Sequence, residues 1–210
     1  MKNLIIIGAR GFGREVHQLA KRCSQNQNNF VIKGFLDDKY DALNQFDGYP
    51  PIIDSVENYT PQKDDVFICA LGNVHDKIKY SELIQNKGGQ FVTLVNPKAV
   101  VPKTVKLGVG CIIDYNAAIS PEVEIGNFVT IMLQSVIGHD CTIGDWCHLS
   151  PFVFLGGHVL VEEKVQIHTR ATVLPGIRIG ENSTLGAGSV VISDVKPGTT
   201  VFGNPAKKIK

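Results

Sequence analysis

Seventeen positions, each six residues after the last, carry nothing but valine, isoleucine or leucine. They are Val95, Val101, Leu107, Ile113, Ile119, Ile125, Ile131, Ile137, Ile143, Leu149, Leu155, Val161, Ile167, Val173, Ile179, Leu185 and Val191. These three types make up 58 of the 210 residues, so chance fills any one position about a quarter of the time. A second class stands four places after each, from Ala99 through Cys111, Cys141 and Cys147 to Val195. All of it but Ile177 is valine or smaller. Glycine often follows the first class, as at Gly108, Gly126, Gly138, Gly144, Gly156, Gly180 and Gly186. An ordinary β-sandwich does not hold one phase over so many repeats. The pattern predicts a hexapeptide β-solenoid, about three hexads to a triangular coil. The aliphatic is expected at an inner corner and the small residue inside a flat face. The glycines are expected to serve the turns through their tolerance of unusual φ.

Residues 1–94 follow another period. Apolar runs at LIIIG (4–8), VIKGFLDD (31–38), DVFICALG (65–72) and QFVTLV (90–95) alternate with helical patterns at 12–23 and 75–89. That alternation predicts a small, Rossmann-like parallel α/β sheet. The division is therefore an α/β domain over 1–94 and a parallel β-helix with a C-terminal tail over 95–210.

Composition narrows the function classes. The net charge of +1 argues against nucleic acid or an anionic membrane surface as a general partner. The five cysteines form no CxxC pair, so no disulfide framework is suggested. Cys111, Cys141 and Cys147 fall in the small inward class and are expected to pack rather than react. The opening MKNLIIIGAR is too short an apolar run for a signal peptide, and no stretch reaches a membrane span. A soluble cytoplasmic protein is expected.

A small α/β domain followed by hexapeptide coils resembles a known family: the two-domain nucleotide-sugar acetyltransferases of bacterial glycan synthesis. The sialic acid O-acetyltransferases are its relatives. The resemblance covers essentially the whole chain and is carried by GARGFG (8–13), FLDDK (35–39), ALGN (70–73), GHDCTIGDWCH (138–148), LGAGSVV (185–191) and GNPAK (203–207). It implies a left-handed solenoid that forms a homotrimer, with acetyl-CoA as co-substrate in the groove between neighbouring coils. It implies a UDP- or dTDP-linked sugar on the N-terminal domain. It also implies that His139, the first histidine of the GHDC stretch, is the general base, with Asp140 behind it. The activity expected is N-acetylation of a 4-amino-4,6-dideoxy sugar by direct transfer. O-acetylation of the sialic acid type is the nearest alternative.

Positions 18 apart stack at about 4.8 Å in such a coil. Gly157 is then expected one layer over His139, leaving room for a ligand and offering its N–H to the thioester oxygen. Asp140 falls beneath His158. It can pair with His158 across coils, or orient His139 if the corner bends the chain. His148 lies half a coil from His139, so a site using both imidazoles must cross a subunit boundary. Its role is left open between polarising a substrate and bonding across the trimer. Thr169 and Ala187 share a column where backbone groups are expected to hold pantetheine. Lys207 and Lys208 are candidates for the cofactor's phosphates. His168 is assigned no role.

In the N-terminal domain Gly8, Gly11 and Gly13 follow a strand and open a helix, as a phosphate-cradling turn does. Arg10 is a further phosphate contact. Asp37 and Asp38 end the next strand, where a carboxylate reaches a ribose or base. Lys39 and Asn73 complete the set. No resident metal is expected. The competing classes are a zinc enzyme of the carbonic anhydrase type, using His139, His148, His158 and His168, and a non-catalytic nucleotide-sugar-binding protein.

Overall fold

A computed structural model describes residues 1–26 and 30–210. The chain forms two compact units, Met1–Pro97 and Lys98–Lys210.

The first unit is a five-stranded sheet in the order β3-β2-β1-β4-β5, every neighbouring pair parallel. Its strands are β1 (Lys2–Ile7), β2 (Phe30–Leu36), β3 (Ile52–Asp54), β4 (Asp65–Cys69) and β5 (Gln90–Phe91). Helix α1 (Gly11–Asn26) follows β1, and α2 (Val74–Asn86) follows β4. The apolar runs of β1 and β4 are buried end to end from Leu4 to Ile7 and from Asp65 to Cys69, as sheet strands covered on both faces require. β3 carries no signal a period can show. It is three half-buried residues behind two prolines, on an outer edge of the sheet. The run at 90–95 is not one strand but two, broken between Phe91 and Leu94.

The second unit winds through three parallel sheets of two-residue strands. One face stacks Lys106–Leu107, Glu124–Ile125, Thr142–Ile143, Leu160–Val161 and Arg178–Ile179. The next climbs from Ile112–Ile113 through His148–Leu149 to Thr200–Phe202. The third stacks Ala118–Ile119, Val136–Ile137, Phe154–Leu155, Thr172–Val173 and Val190–Val191. We call them the Leu107, Ile113 and Ile119 faces. Each residue pairs with the one 18 positions on, as Thr142 does with Leu160. Only the last layer is shorter: Thr184 pairs with Thr200.

Two details of the hexad differ from expectation. The aliphatic residue sits in the strand of a flat face, not at a corner; the corner falls two and three places later, and the small residue follows it. The backbone at the third place turns left-handed at every coil corner from Gly110 to Gly188. Asn116, Glu122, Phe128, Gln134, Asp140, Trp146, Phe152, His158, Lys164, Arg170 and Asn182 all have φ between 53° and 65°. The glycine after the aliphatic has no such φ. It is glycine for lack of space, because the coils lie directly on one another. A Cβ on Gly138 would come within 2.6 Å of the Gly156 carbonyl carbon, and one on Gly144 within 2.7 Å of the Glu163 nitrogen.

The interior is packed with aliphatic and small residues, the buried Ser135, Ser183 and Ser189 among them. Cys111, Cys141 and Cys147 are all fully buried, and the Sγ of each faces a carbonyl of the layer above. Burial pushes the Cys141 thiol above its ordinary value, which disfavours the nucleophilic thiolate.

Gly144→Ala is expected to destabilise the coil by about 1–3 kcal/mol, the range for a forced methyl in a packed site. Urea unfolding followed by circular dichroism measures this. An unchanged midpoint would show that the layers spread freely.

Candidate functional site

The turn after Ile137 carries His139 and Asp140 at the corner between the Ile119 and Leu107 faces. In a strand their side chains would point to opposite sides. Here Asp140 has φ 58°, and the bend returns its carboxylate to its neighbour. Asp140 Oδ2 lies 2.7 Å from His139 Nδ1 and 3.8 Å from His158 Nε2, one layer up. Of the two partners that the sequence left as alternatives, His139 takes the hydrogen bond, and His158 lies beyond hydrogen-bond distance. The two imidazoles meet edge to face, with centroids 4.9 Å apart. A carboxylate on Nδ1 fixes the proton there and leaves Nε2 with its lone pair.

Gly157 sits over the His139 ring. A Cβ on it would lie 2.7 Å from Nε2 and 2.8 Å from Cε1. The space its missing side chain provides is filled by the imidazole itself, not held open for a ligand. Its carbonyl accepts from the Gly176 N–H above.

The other predicted residues of this unit lie elsewhere on the coil. His148 is in a strand of the Ile113 face, between Thr130 and Gln166. Thr169 and Ala187 stack at the corner between the Ile113 and Ile119 faces. The Thr169 carbonyl accepts from Gly188 N–H and its hydroxyl donates to the Pro151 carbonyl, so those groups already hold the coil together. Lys207 lies in an exposed two-residue strand antiparallel to Thr200–Phe202. Lys208 beside it lines a cavity of about 290 Å³ with Asp194 and Lys196. Of the four solenoid histidines, His139 and His158 join Asp140 in one group whose ligand atoms lie within 4.8 Å; His148 and His168 are not part of it.

The first unit has its own cavity, of about 330 Å³, at the carboxyl ends of β1, β2 and β4. Gly8, Arg10, Gly13, Asp37, Asp38 and Asn73 line it. Gly8 turns the chain with φ 95°, and the bare Cα of Gly11 faces open space at the start of α1. Asp37 is buried, and both its oxygens are in use: Oδ2 accepts from Ala9 N–H and Oδ1 from Lys39 N–H, each at 2.9 Å. Arg10 reaches it at 3.8 Å with most of its side chain still exposed. Lys39 does not line the cavity; its ammonium lies 4.0 Å from Asp41. Asn73 caps α2, its side chain accepting from Asp76 N–H. Burial pushes the Asp38 carboxyl above its ordinary value, with the nearby Glu57 carboxylate adding to the effect.

Sequence reasoning missed Asp76 and Tyr80, which also line this cavity. The signal was present: from the cap at Asn73, positions three and seven further on share one helix face.

Comparison with known proteins follows the same division. The PglD N-terminal domain family matches residues 3–84, and the GMPPB C-terminal domain family matches residues 92–184. The GDP-perosamine N-acetyltransferase of Escherichia coli O157:H7 is 30% identical over 211 residues, covering 98% of this chain and 95% of that protein. The chain belongs to the nucleotide-sugar acetyltransferases of the hexapeptide-repeat superfamily. It is an acetyl-CoA-dependent acetyltransferase. PerB from Caulobacter crescentus, solved with CoA and GDP-perosamine, superposes with a TM-score of 0.89 at 27% identity, over 100% of this chain and 98% of that one. The acetyltransferase domain of PglB from Neisseria gonorrhoeae, solved with acetyl coenzyme A, gives 0.89 at 28% identity, over 99% of each chain. No helix among the described residues is long and apolar enough to cross a membrane.

Gly157→Ala is expected to leave the fold intact and displace the His139 ring, since the new methyl occupies its place. A crystal structure of the variant measures this; an unmoved imidazole would show that the contact is not limiting.

Proposed function

We propose that this acetyltransferase moves the acetyl group of acetyl-CoA onto the 4-amino group of a nucleotide-linked 4-amino-4,6-dideoxy sugar. His139 is the general base, and transfer is direct, within a ternary complex. The observation that carries this reading is the His139–Asp140 pair, 2.7 Å apart, with Nε2 of the imidazole left as the acceptor. In the reaction the amine lone pair attacks the thioester carbon, and its proton passes to Nε2. The C–N bond forms, the C–S bond breaks, and the thiolate leaves with the proton that His139 returns. Asp140 holds the ring and stabilises the imidazolium. Gly157 is the donor assigned to the thioester oxygen, a role typically worth about 3 kcal/mol. The buried cysteines support transfer without an acyl-enzyme.

The nucleotide is assigned to the cavity of the first unit, its diphosphate over the Gly8–Gly13 turn and Arg10. The E. coli and Caulobacter relatives are linked by name to GDP-perosamine, so a GDP-linked sugar joins the UDP- and dTDP-linked ones as a candidate.

The coil is taken as left-handed and the enzyme as a cytoplasmic homotrimer. The outer column of the Ile119 face supports the trimer. It runs Ala118, Val136, Phe154, Thr172, Val190, without a charge, and Val136 and Phe154 are exposed. The Leu107 face, by contrast, presents Lys106, Glu124 and Arg178. The His139 corner bounds one edge of the apolar face, and the Thr169–Ala187 corner bounds the other. Threefold packing on that face sets the His139 edge of one subunit against the opposite edge of the next. His148 and the pantetheine column then serve the neighbour's histidine.

His139→Ala is expected to lower turnover at least about 100-fold, read as CoA thiol release with 4-amino sugars on GDP, UDP and dTDP. Near-normal turnover rejects His139 as base. Light scattering is expected to show three chains per particle, and Phe154→Asp to shift the population to monomers with loss of activity. A fully active monomer rejects the shared site.

A further inference from the structure

The reaction assigned to the His139 corner employs His139 and Asp140 and leaves His158 without work. Yet His158 is fixed beside them. Its backbone N–H donates to the His139 carbonyl at 2.8 Å, so the ladder locks the two layers together. Asp140 and His158 stand one above the other, 18 residues apart, with matching left-handed φ of 58° and 59°. The His139 ring turns Nε2 toward Gly157 and Nδ1 toward Asp140. One donor atom from each of His139, Asp140 and His158 lies within 4.8 Å of the others. Among the described residues no other set of histidine, cysteine and acidic side chains converges in this way. Asp140 Oδ2 is 2.7 Å from His139 Nδ1 and 3.8 Å from His158 Nε2. Two donors on one tetrahedral zinc ion, each about 2.1 Å from it, lie about 3.4 Å apart. The observed separations bracket that value. An ion therefore enters by opening one contact and closing the other, each by roughly half an ångström. All three side chains are well exposed, and an edge that admits a sugar substrate admits an ion.

We propose that His139, Asp140 and His158 form a site for a zinc ion, and that the bound ion shuts the acetyltransferase off. Two imidazoles and one carboxylate are the donors of a three-ligand zinc site, whose fourth position goes to water. Zinc on Nδ1 displaces the proton held there. That proton moves to Nε2, the other ring nitrogen, and the ring stays neutral. Nε2 then carries a hydrogen and no lone pair, so it takes no proton from the amine. The Asp140 carboxylate is drawn onto the ion and no longer holds the ring for catalysis. The ion is an inhibitor of the reaction and not a part of it. Magnesium prefers oxygen ligands and suits these donors poorly. The inhibition rests on reading His139 as the base; the metal site does not.

Isothermal titration of the whole chain with zinc chloride tests the site, with magnesium chloride as the control. The wild type is expected to bind zinc and not magnesium. His158→Asn is expected to weaken zinc binding about tenfold or more, since even an outer partner of a metal ligand is worth that much. Asparagine suits the left-handed corner, so the variant keeps the fold, and a thermal melt checks that. His168→Ala, outside the group, is expected to leave zinc binding unchanged. Turnover is read by mass spectrometry of the acetylated sugar, because the CoA thiol itself takes zinc. Zinc is expected to lower wild-type turnover. The half-inhibiting concentration is expected to rise at least about tenfold in His158→Asn, measured against that variant's own metal-free rate. Zinc binding of equal strength in wild type and His158→Asn overturns the site, and so does failure of the wild type to bind zinc. Zinc that binds but leaves turnover unchanged overturns the inhibition. Near-normal metal-free turnover of His139→Ala is the separate result that rejects the base.

Discussion

The backbone ladder between successive coils is the constraint from which the second unit follows. Each two-residue strand bonds to the strand 18 residues on, as Gly138 N–H does to the Leu155 carbonyl. That spacing converts sequence distance into vertical neighbours. It makes the interior a set of stacked layers of aliphatic and small residues, and at Gly138 and Gly144 it brings one backbone so close to the next that a Cβ would collide with it. It also sets chemistry at a fixed height. His139, Gly157, Asp140 and His158 belong together because they occupy two turns of one corner in adjacent layers. No long-range fold of the chain is needed to assemble them. The cost falls on the corners, where eleven residues other than glycine adopt left-handed backbone among those described. Asp140 is among the types that tolerate this best, and there the bend does chemical service by returning the carboxylate to its neighbour's imidazole.

The first unit is organised by a different rule. Parallel strands leave their carboxyl ends together, and the reversal of strand order opens a crevice there. The crevice is lined by residues distant in sequence: Arg10 after β1, Asp38 after β2, Asn73 at the cap of α2 and Tyr80 on it. Similar residue types do different work in it. Asp37 and Asp38 are adjacent carboxylates that both line the cavity, yet Asp37 is buried and ties two loops while Asp38 is exposed. Asn73 serves as a helix cap, so part of its hydrogen-bonding capacity is spent on the fold.

The resemblance read from motifs and the comparisons with known proteins lead to the same family by different routes. The motifs are local, such as the GHDC stretch and the GNPAK tail. The likeness to the E. coli and Caulobacter proteins extends over nearly the entire chain. It joins a nucleotide-type domain to a solenoid, and the two physical rules above act in one enzyme.

Periodicity in the chain was sufficient for the architecture of the second unit and the strand–helix alternation of the first. Stacking of residues 18 apart put Gly157 over His139, because a repeating ladder makes neighbours computable from sequence numbers alone. The short edge strand at Ile52–Asp54 was not legible, since three half-buried residues have no period to show. Nor was the reason for the hexad glycines, which is the close approach of one coil to the next rather than backbone freedom. The division of labour between Asp37 and Asp38 also waited for the tertiary structure. So did the placing of Tyr80 opposite them. Those facts depend on which backbone N–H groups a side chain meets after the loops close, and no spacing along the chain encodes that.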